Sequence, residues 1–374
     1  MTLSDFNNFL KTHYNNELPF VAYRKPDSVK INALLQEKSY LHTTSSFNES
    51  GFVFAPFDSS KQVVLIPYES SKHITTTYSG SEFKKKINRQ DEASLTSKHE
   101  HLHLIENGIQ SINNGQLVKV VLSRKEEVVL ATSNILEIFK NLLDNYSNAL
   151  VYCFYHPKVG LWLGATPETL LQVEANKFKT MALAGTQEYN GTLDVQWNQK
   201  EKEEHDIVTN SIYRALKKNV NSITVSKTKT IKAGNLLHLQ TQISGTFFTK
   251  LEKINLELIL KSLHPTPAIC GFPKEAAKQF IQENENYNRE YYTGFLGEIN
   301  FLETTNRNSN KRNVENNAYT AVKKVSNIFV NLRCMQIIDQ IAIIYVGGGI
   351  TKDSIPQAEW EETVNKTFTI KNCL

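Results

Sequence analysis

The chain has 374 residues, with 42 Lys and Arg against 38 Asp and Glu and 40% apolar side chains, enough to bury a large core as one big domain or two ordinary ones. Its formal charge of +4 is spread along the chain, which does not argue for a nucleic-acid partner. The opening "MTLSDFNNFLKTHYNNELPF" lacks the pattern of a secretory leader, and no apolar run approaches the ~20 residues of a membrane span. Cys153, Cys270, Cys334 and Cys373 form no C-x-x-C pair, which argues against structural zinc and disulfides and for a reduced, cytoplasmic setting.

Up to about residue 100, the strand-like runs "GFVFAPF" and "KQVVLIPY" alternate with segments rich in Ser, Thr and Asn. Ala93 to Asn114 reads as a helix, with Leu102, Ile105, Ile109 and Ile112 on one face and Gly115 ending it. "QLVKVVLSRKEEVVLA" is a long strand, "ALVYCFYH" with "KVGLWLGA" a hairpin, and "LLQVEANKFKTMALAGT" a second hairpin turning near Ala175 and Asn176. A charged helix covers Lys200 to Lys218, followed by the strands "SITVSKTKTI" and "LLHLQTQISGTF". Short helices at Leu256–Leu263 and Lys274–Glu285 flank the loop "HPTPAICGFP". The strands "YYTGFLGEIN", "NIFVNLRCMQI" and "IAIIYV" come next, and a last helix starts near Gln357. Long strands joined by tight turns predict mainly antiparallel sheets covered by helices. Residues 303–326 are polar and read as a long exposed loop inserted between two strands.

Several residues carry candidate chemistry beside a plainer reading. Gly347, Gly348 and Gly349 match neither a P-loop nor a dinucleotide fingerprint; a tight turn competes with a backbone left open to a ligand. In the helix that follows, Glu359, Glu362 and Lys366 share a face, with Trp360, Val364 and Phe368 as a core stripe and Glu361 solvated. Glu362 and Lys366 also suit a simple i,i+4 ion pair. In "QKEKEEHDIVTNSIYRALKK", Glu204 lines up with the apolar stripe Ile207, Val208, Ile212 and Ala215, where a buried carboxylate needs a partner. The run from Glu201 to Glu204 also resembles a solvated helix start. Lys119 among valines is either an edge-strand gatekeeper or a desolvated base. Glu168 in "GATPETLL" is either a turn residue or a site carboxyl. "KHEHLH" has no metal-ligand spacing, since His101 points away from His99 and His103 on a helix.

Together, "KVVLSR", "GATPETLL", "LAGT", "EEHDIV", "LHLQT", "HPTPAICGFP", "GFLGE", "VNLRC", "VGGGI" and "AEWEETVNK" resemble, in order, the motifs of the chorismate-utilising enzymes. The isochorismate synthases of menaquinone and siderophore pathways are the nearest match. The resemblance covers roughly residues 101–374 and implies an α/β fold of the α+β type, two stacked, mainly antiparallel sheets with helices outside. Residues 1–100 are then the N-terminal part of the same compact fold. The resemblance implies chorismate as substrate and Mg²⁺ as cofactor. It implies Lys119 as the base that activates water and Glu168 as the acid that protonates the departing C4 hydroxyl. Glu204 and Glu362 match the Mg²⁺ carboxylates, with Glu359 beside them. Arg333 matches the arginine on the enolpyruvyl carboxylate, and Gly185, Thr186, His238, Ala268, Gly347, Gly349 and Lys366 match positions around the substrate.

Within the resemblance, Lys119 and the run "IVTNS" separate this chain from the ammonia-using anthranilate and aminodeoxychorismate synthases. Salicylate synthases, which go on to eliminate pyruvate, are the remaining alternative, and "HPTPAICGFP" is unlike theirs. Gln187 after "LAGT" replaces an arginine common in relatives. A nucleic-acid-binding module using "KTKTIK" and "NRNSNKRN" is the rival from another class, but no aromatic residues interleave with those runs. Nothing in the pattern demands more than a monomer.

Overall fold

Runs rich in β-branched and aromatic residues build two antiparallel sheets, as a period-two pattern with one face inward favours. The computed structural model describes residues 1–80, 95–131, 134–234, 236–248, 254–305 and 321–374. The chain begins with α1 (Leu3–Asn15), β1 (Phe20–Arg24), β2 (Lys30–Gln36), β3 (His42–Thr44), β4 (Gly51–Ala55), β5 (Val63–Pro67) and β6 (Ser71–Thr77). Next come α2 (Leu95–Asn113), β7 (Lys119–Val129), α3 (Ile135–Asn145), β8 (Leu150–His156), β9 (Gly160–Thr166), β10 (Thr169–Glu174) and β11 (Lys177–Glu188). They are followed by α4 (Gln199–Lys217), β12 (Val220–Val225), β13 (Lys229–Ala233), β14 (Leu236–Phe247), α5 (Leu256–Leu263), β15 (Gly271–Phe272) and α6 (Lys274–Asn284). The last elements are β16 (Phe295–Thr305), β17 (Ala321–Val330), β18 (Cys334–Ile338), β19 (Ile341–Ile350) and α7 (Pro356–Lys371).

The nine-stranded sheet runs β15-β7-β19-β18-β9-β8-β1-β2-β6, and the ten-stranded sheet runs β12-β14-β11-β10-β17-β16-β4-β5-β3, with β13 added to β14. Strands from the first eighty residues extend both sheets, β1 pairing with β8 and β4 with β16. Alternation along β1 divides the core: Phe20 and Ala22 join the cluster with α1 and α3, while Val21 and Tyr23 join an aromatic layer with Phe52, Phe54, Phe154 and Trp162. That layer is the inner core of a face-to-face sandwich. On the ten-stranded sheet, Val208, Ile212 and Leu216 of α4 pack with α5 and Ala182 and Ala184 of β11. No helix among the described residues is long and apolar enough to cross a membrane.

Several local expectations need correction. α1 carried no signal singled out in the sequence; Phe6 and Leu10 bury its inner face, and the Thr2 hydroxyl caps it by accepting from the Asp5 N–H. "SITVSKTKTI" is two strands, β12 and β13, both paired with β14. "NIFVNLRCMQI" is also two strands, β17 and β18, in different sheets. The predicted loop at 303–326 is shorter at both ends, because Glu303 pairs with Lys323 and Thr305 with Ala321; residues 306–320, with all of "NRNSNKRN", lie outside the described residues, as do Ala93 and Ser94.

The helix faces are also rotated from expectation. In α7 the buried line is Trp360, Thr363, Thr367 and Ile370, with Val364 and Phe368 only half-buried. Threonine is tolerated inside because the Thr363 hydroxyl donates to Trp360 O at 2.8 Å and the Thr367 hydroxyl to Val364 O at 2.7 Å. In α4 the buried line is His205, Val208, Ile212 and Leu216, while Ile207 and Ala215 flank it half-buried.

Candidate active site

Two short links carry the chain between sheets side by side, Pro167-Glu168 from β9 to β10 and Asn331 to Arg333 from β17 to β18. Val330 N–H donates to Glu168 O at 3.0 Å, and the Thr166 hydroxyl donates to Val330 O at 2.5 Å. The acid candidate and the arginine candidate are thereby fixed by adjacent backbone. Between the sheets lies a cavity of about 110 Å³, room for a compact ligand. Every sequence-predicted site residue except Lys119 and Glu359 lines it. A larger groove of about 1000 Å³ beside α2 is lined by Arg124, Glu126 and Lys371, but these charges pair with one another there.

Lys119 starts β7 and is 0% exposed. It is not on a free edge, because Phe272 of β15 pairs with it. Its Nζ lies 2.8 Å from Glu204 Oε1 on α4, an ion-pair contact, and among the described residues the buried ammonium has no well-aligned hydrogen-bond acceptor. Such donors face a cost unless water or a ligand oxygen reaches them. The strand is held from behind by Arg289, which donates to Val121 O at 2.7 Å and Ile269 O at 3.0 Å and pairs with buried Glu285. Neither Arg289 nor Glu285 was singled out from sequence; their i,i+4 spacing was the available signal.

The glycine triplet is not a turn. It runs inside β19, with Gly347 opposite Ser123, Gly348 opposite Leu122 and Gly349 opposite Val121 of β7. A Cβ on Gly349 would lie 2.4 Å from Glu204 Oε1 and 2.9 Å from Lys119 Cε. Only a bare backbone leaves room for that ion pair. A Cβ on Gly348 would lie 3.6 Å from Glu359 Oε2 and 4.0 Å from Glu362 Oε1.

Glu168 is 3% exposed, not a surface turn residue. Burial pushes its carboxyl up to about 8, against the opposing pull of Lys119. It therefore carries its proton at neutral pH.

Arg333 has φ +47, a left-handed backbone that a non-glycine residue adopts at a cost and that recurs at functional sites. Its Nη1 donates to Ala233 O at 2.9 Å and its Nη2 to His238 Nε2 at 2.8 Å. Because arginine only donates, His238 Nε2 accepts; its Nδ1–H then donates to Gly185 O at 2.8 Å. Burial, then Arg333, push the His238 imidazole down to about 3, so it is a neutral prop for the guanidinium. Gly185 has φ +75, which suits glycine and aims its carbonyl at that histidine. Two of Arg333's five donors are used by these contacts, leaving others for a carboxylate. Lys366 Nζ pairs with Glu362 at 2.6 Å and donates to Gly347 O at 2.8 Å.

The carboxylates fit Mg²⁺. Glu204 and Glu362 reach the glycine strand from α4 and α7, and their hard oxygens are the donors this ion prefers, one or two per site with water and ligand oxygens completing the shell. Burial pushes the Glu204 carboxyl up, but Lys119, Lys200 and Lys366 outweigh it and hold it below the ordinary value, in the ionised form a ligand needs. No three His, Cys, Asp or Glu side chains among the described residues form a ready-made cage. Glu359 meets Lys200 through one oxygen and faces Gly348 with the other.

Among known proteins, residues 48–306 match a family profile described as chorismate binding enzyme, and residues 318–372 match a second so described. Isochorismate synthase MenF of Escherichia coli (strain K12) is 28% identical over 282 residues, covering 72% of this chain and 59% of that protein. Isochorismate synthase EntC of the same strain is 29% identical over 269 residues, covering 69% and 62%. The chain thus spans about three-fifths of the length of these curated relatives. The solved structure of Escherichia coli MenF superposes with a TM-score of 0.73 at 19% identity, covering 95% of this chain and 88% of that one. Anthranilate synthase component I from Streptococcus pneumoniae TIGR4 gives 0.63 at 18% identity, covering 94% and 89%. The fold is therefore common to both activities. With one profile alone covering more than half its length, and with both sheets in place around the cavity, this chain belongs to the chorismate-binding enzyme family.

Proposed function

We propose that the protein is a Mg²⁺-dependent isochorismate synthase. Water adds at C2 of chorismate, the ring double bonds shift, and the C4 hydroxyl leaves, so the product is an isomer of the substrate. The observation that carries this reading is a buried carboxyl, Glu168, in the cavity wall, with a buried lysine, Lys119, just behind Gly349 of the same wall. Water is a poor nucleophile and hydroxide a poor leaving group, so both a base and an acid are needed, each contributing about 10²–10⁴-fold.

Lys119 is the base that takes a proton from the attacking water. Glu168 gives its proton to the C4 oxygen, which departs as water. Arg333, held by His238 and Ala233 O, binds one carboxylate of the substrate with its remaining N–H donors. Lys366 and the glycine backbone of β19 line the same cavity. Glu204 and Glu362 would hold Mg²⁺, which would supply positive charge for a substrate carboxylate.

Support also comes from the relatives, MenF and EntC, which carry the isochorismate synthase name. The salicylate alternative is not favoured. Chorismate incubated with the protein and Mg²⁺ should give a product of unchanged mass, without pyruvate and without ammonia. Salicylate with pyruvate would rename the enzyme, and untouched chorismate with folded, Mg²⁺-loaded protein would defeat the reading.

A further inference from the structure

One side of β7 carries buried groups with no part in that scheme. Main chain covers its edge away from β19 only as far as Val121: Gly271 and Phe272 of β15 lie opposite Val120 and Lys119, and Val121 N–H donates to Cys270 O at 2.8 Å. There the two segments part, and side chains take over. Arg289 Nη2 donates to Val121 O at 2.7 Å, Arg289 Nη1 donates to Ile269 O at 3.0 Å, and Ser123 N–H donates to Glu285 Oε1 at 2.8 Å. These are main-chain groups whose ladder partners end with β15, and a buried one left alone is costly.

Glu285 and Arg289 stand four residues apart after α6, with side chains 1% and 2% exposed. Arg289 also donates from Nε to Glu285 Oε2 at 2.8 Å, from Nη2 to Glu285 Oε1 and from Nη1 to Thr293 Oγ1 at 3.4 Å. Every N–H of the guanidinium therefore has an acceptor. Three of the partners, Val121, Ile269 and Thr293, line the cavity, and they come from β7, the loop before β15 and the turn before β16. Val121 shares a face of β7 with Lys119, two residues away. Paired strands lie ~4.8 Å apart, so a ladder continued past Val121 would bring these walls together. The planar fork of Arg289 joins them and keeps them apart.

We propose that Arg289, held in place by Glu285, is a positioning residue that sets Lys119 against the wall formed by Ala268 and Ile269 and so aims the base at the attacking water. This rests on Lys119 as the base of the reading above. Arg289 does not line the cavity; it works through the strand that carries Lys119. A pair that serves only stability would cost the same turnover whether or not Lys119 is there. A positioning pair loses its effect once the base is gone.

The test is chorismate turnover with Mg²⁺, expressed per folded molecule by circular dichroism. It compares wild type, Arg289→Lys, Lys119→Met and Arg333→Lys, and adds Arg289→Lys to each of the last two. Lysine keeps the charge beside Glu285 but lacks the fork that spans two carbonyls. Arg289→Lys should lower kcat about 10²-fold, the scale of a ~1 Å misplacement. Its KM should change little, because Arg333 and Lys366 have supports of their own. Losing a base leaves roughly 10⁻²–10⁻⁴ of the turnover, which long incubations read. On the Lys119→Met background Arg289→Lys should change kcat by no more than about twofold, whereas on Arg333→Lys the losses in kcat/KM should multiply. Wild-type kcat in Arg289→Lys overturns the proposal, as does a loss of the same size on the Lys119→Met background. If Arg289→Lys does not fold, Arg289→Gln/Glu285→Gln removes both charges without leaving one unpaired, and the same comparison with and without Lys119 decides. Wild-type protein that leaves chorismate untouched removes the functional reading itself, and wild-type turnover in Lys119→Met removes Lys119 as the base.

Discussion

Glu168 and Glu204 line one cavity, and burial pushes both carboxyls up, yet they end on opposite sides of the ordinary value. At the link between β9 and β10, Glu168 feels Lys119 only at a distance and keeps its proton to about 8. On α4, Glu204 touches Lys119 and has Lys200 and Lys366 nearby, and it is held ionised. Burial alone does not assign a carboxylate its chemistry; the placement of the same lysine relative to each one does. Two titratable groups pushed apart by their surroundings are what acid and metal ligand require of one site.

The sharpest way to break this contrast is Lys119→Met. It removes the proposed base, so kcat should fall by at least ~10²-fold, and it leaves Glu204 as a buried charge without its contact partner, costing about 3–5 kcal/mol in denaturant unfolding at neutral pH. Because the Glu204 carboxyl is depressed in the folded state, the pair's contribution is present above the unfolded value and lost on acidification. The gap between wild type and variant should therefore close as pH falls.

Glu168→Gln tests the other side. Its kcat should fall by about 10²–10⁴-fold with KM little changed, and wild-type kcat/KM should lose activity above a pH near 8 where Glu168 deprotonates. With a folded value of about 8 against an ordinary 4.5, this carboxyl's contribution to stability is complete below the unfolded value and is lost as pH rises through the folded one. The glutamine variant should lack that decline in urea midpoints between about pH 4.5 and 8; an unchanged slope would mean that Glu168 is not the group involved.

The smallest of these effects belongs to Arg333→Lys, which leaves both carboxylates alone. A lysine cannot reproduce the fork propped by His238, and losing a charged hydrogen bond of about 1.5–3 kcal/mol should raise KM roughly tenfold or more while the alkaline limb near 8 stays put. A KM equal to wild type would show that the guanidinium does not hold substrate.

Much of this site was legible because its residues come in short runs at strand ends and helix starts. The hairpins and the helices at α4 to α7 followed from periodicity. The change of sheet at Asn331 was not legible, since "NIFVNLRCMQI" reads as one apolar strand and only the left-handed turn at Arg333 divides it. The buried face of α7 was misjudged because Thr363 and Thr367 satisfy their hydroxyls on the helix's own carbonyls, which hydropathy does not register. Lys200 sits in a charge run that looks solvated, and its partner lies 159 residues away in the chain. Glu359 was grouped with the metal carboxylates by helical face and by resemblance, and in the fold one of its oxygens meets Lys200 while the other faces Gly348.

The register of β16 with β17 has a practical consequence. Phe295 pairs with Val330 beside the sheet crossing, and the ladder continues to Thr305 opposite Ala321. At ~3.3 Å per residue that places the open end of the hairpin on the order of 30 Å from the chemistry. Leu302 and Val322, both exposed near that end, are therefore places where a fluorophore or an affinity handle can be attached while the reacting groups stay where they are.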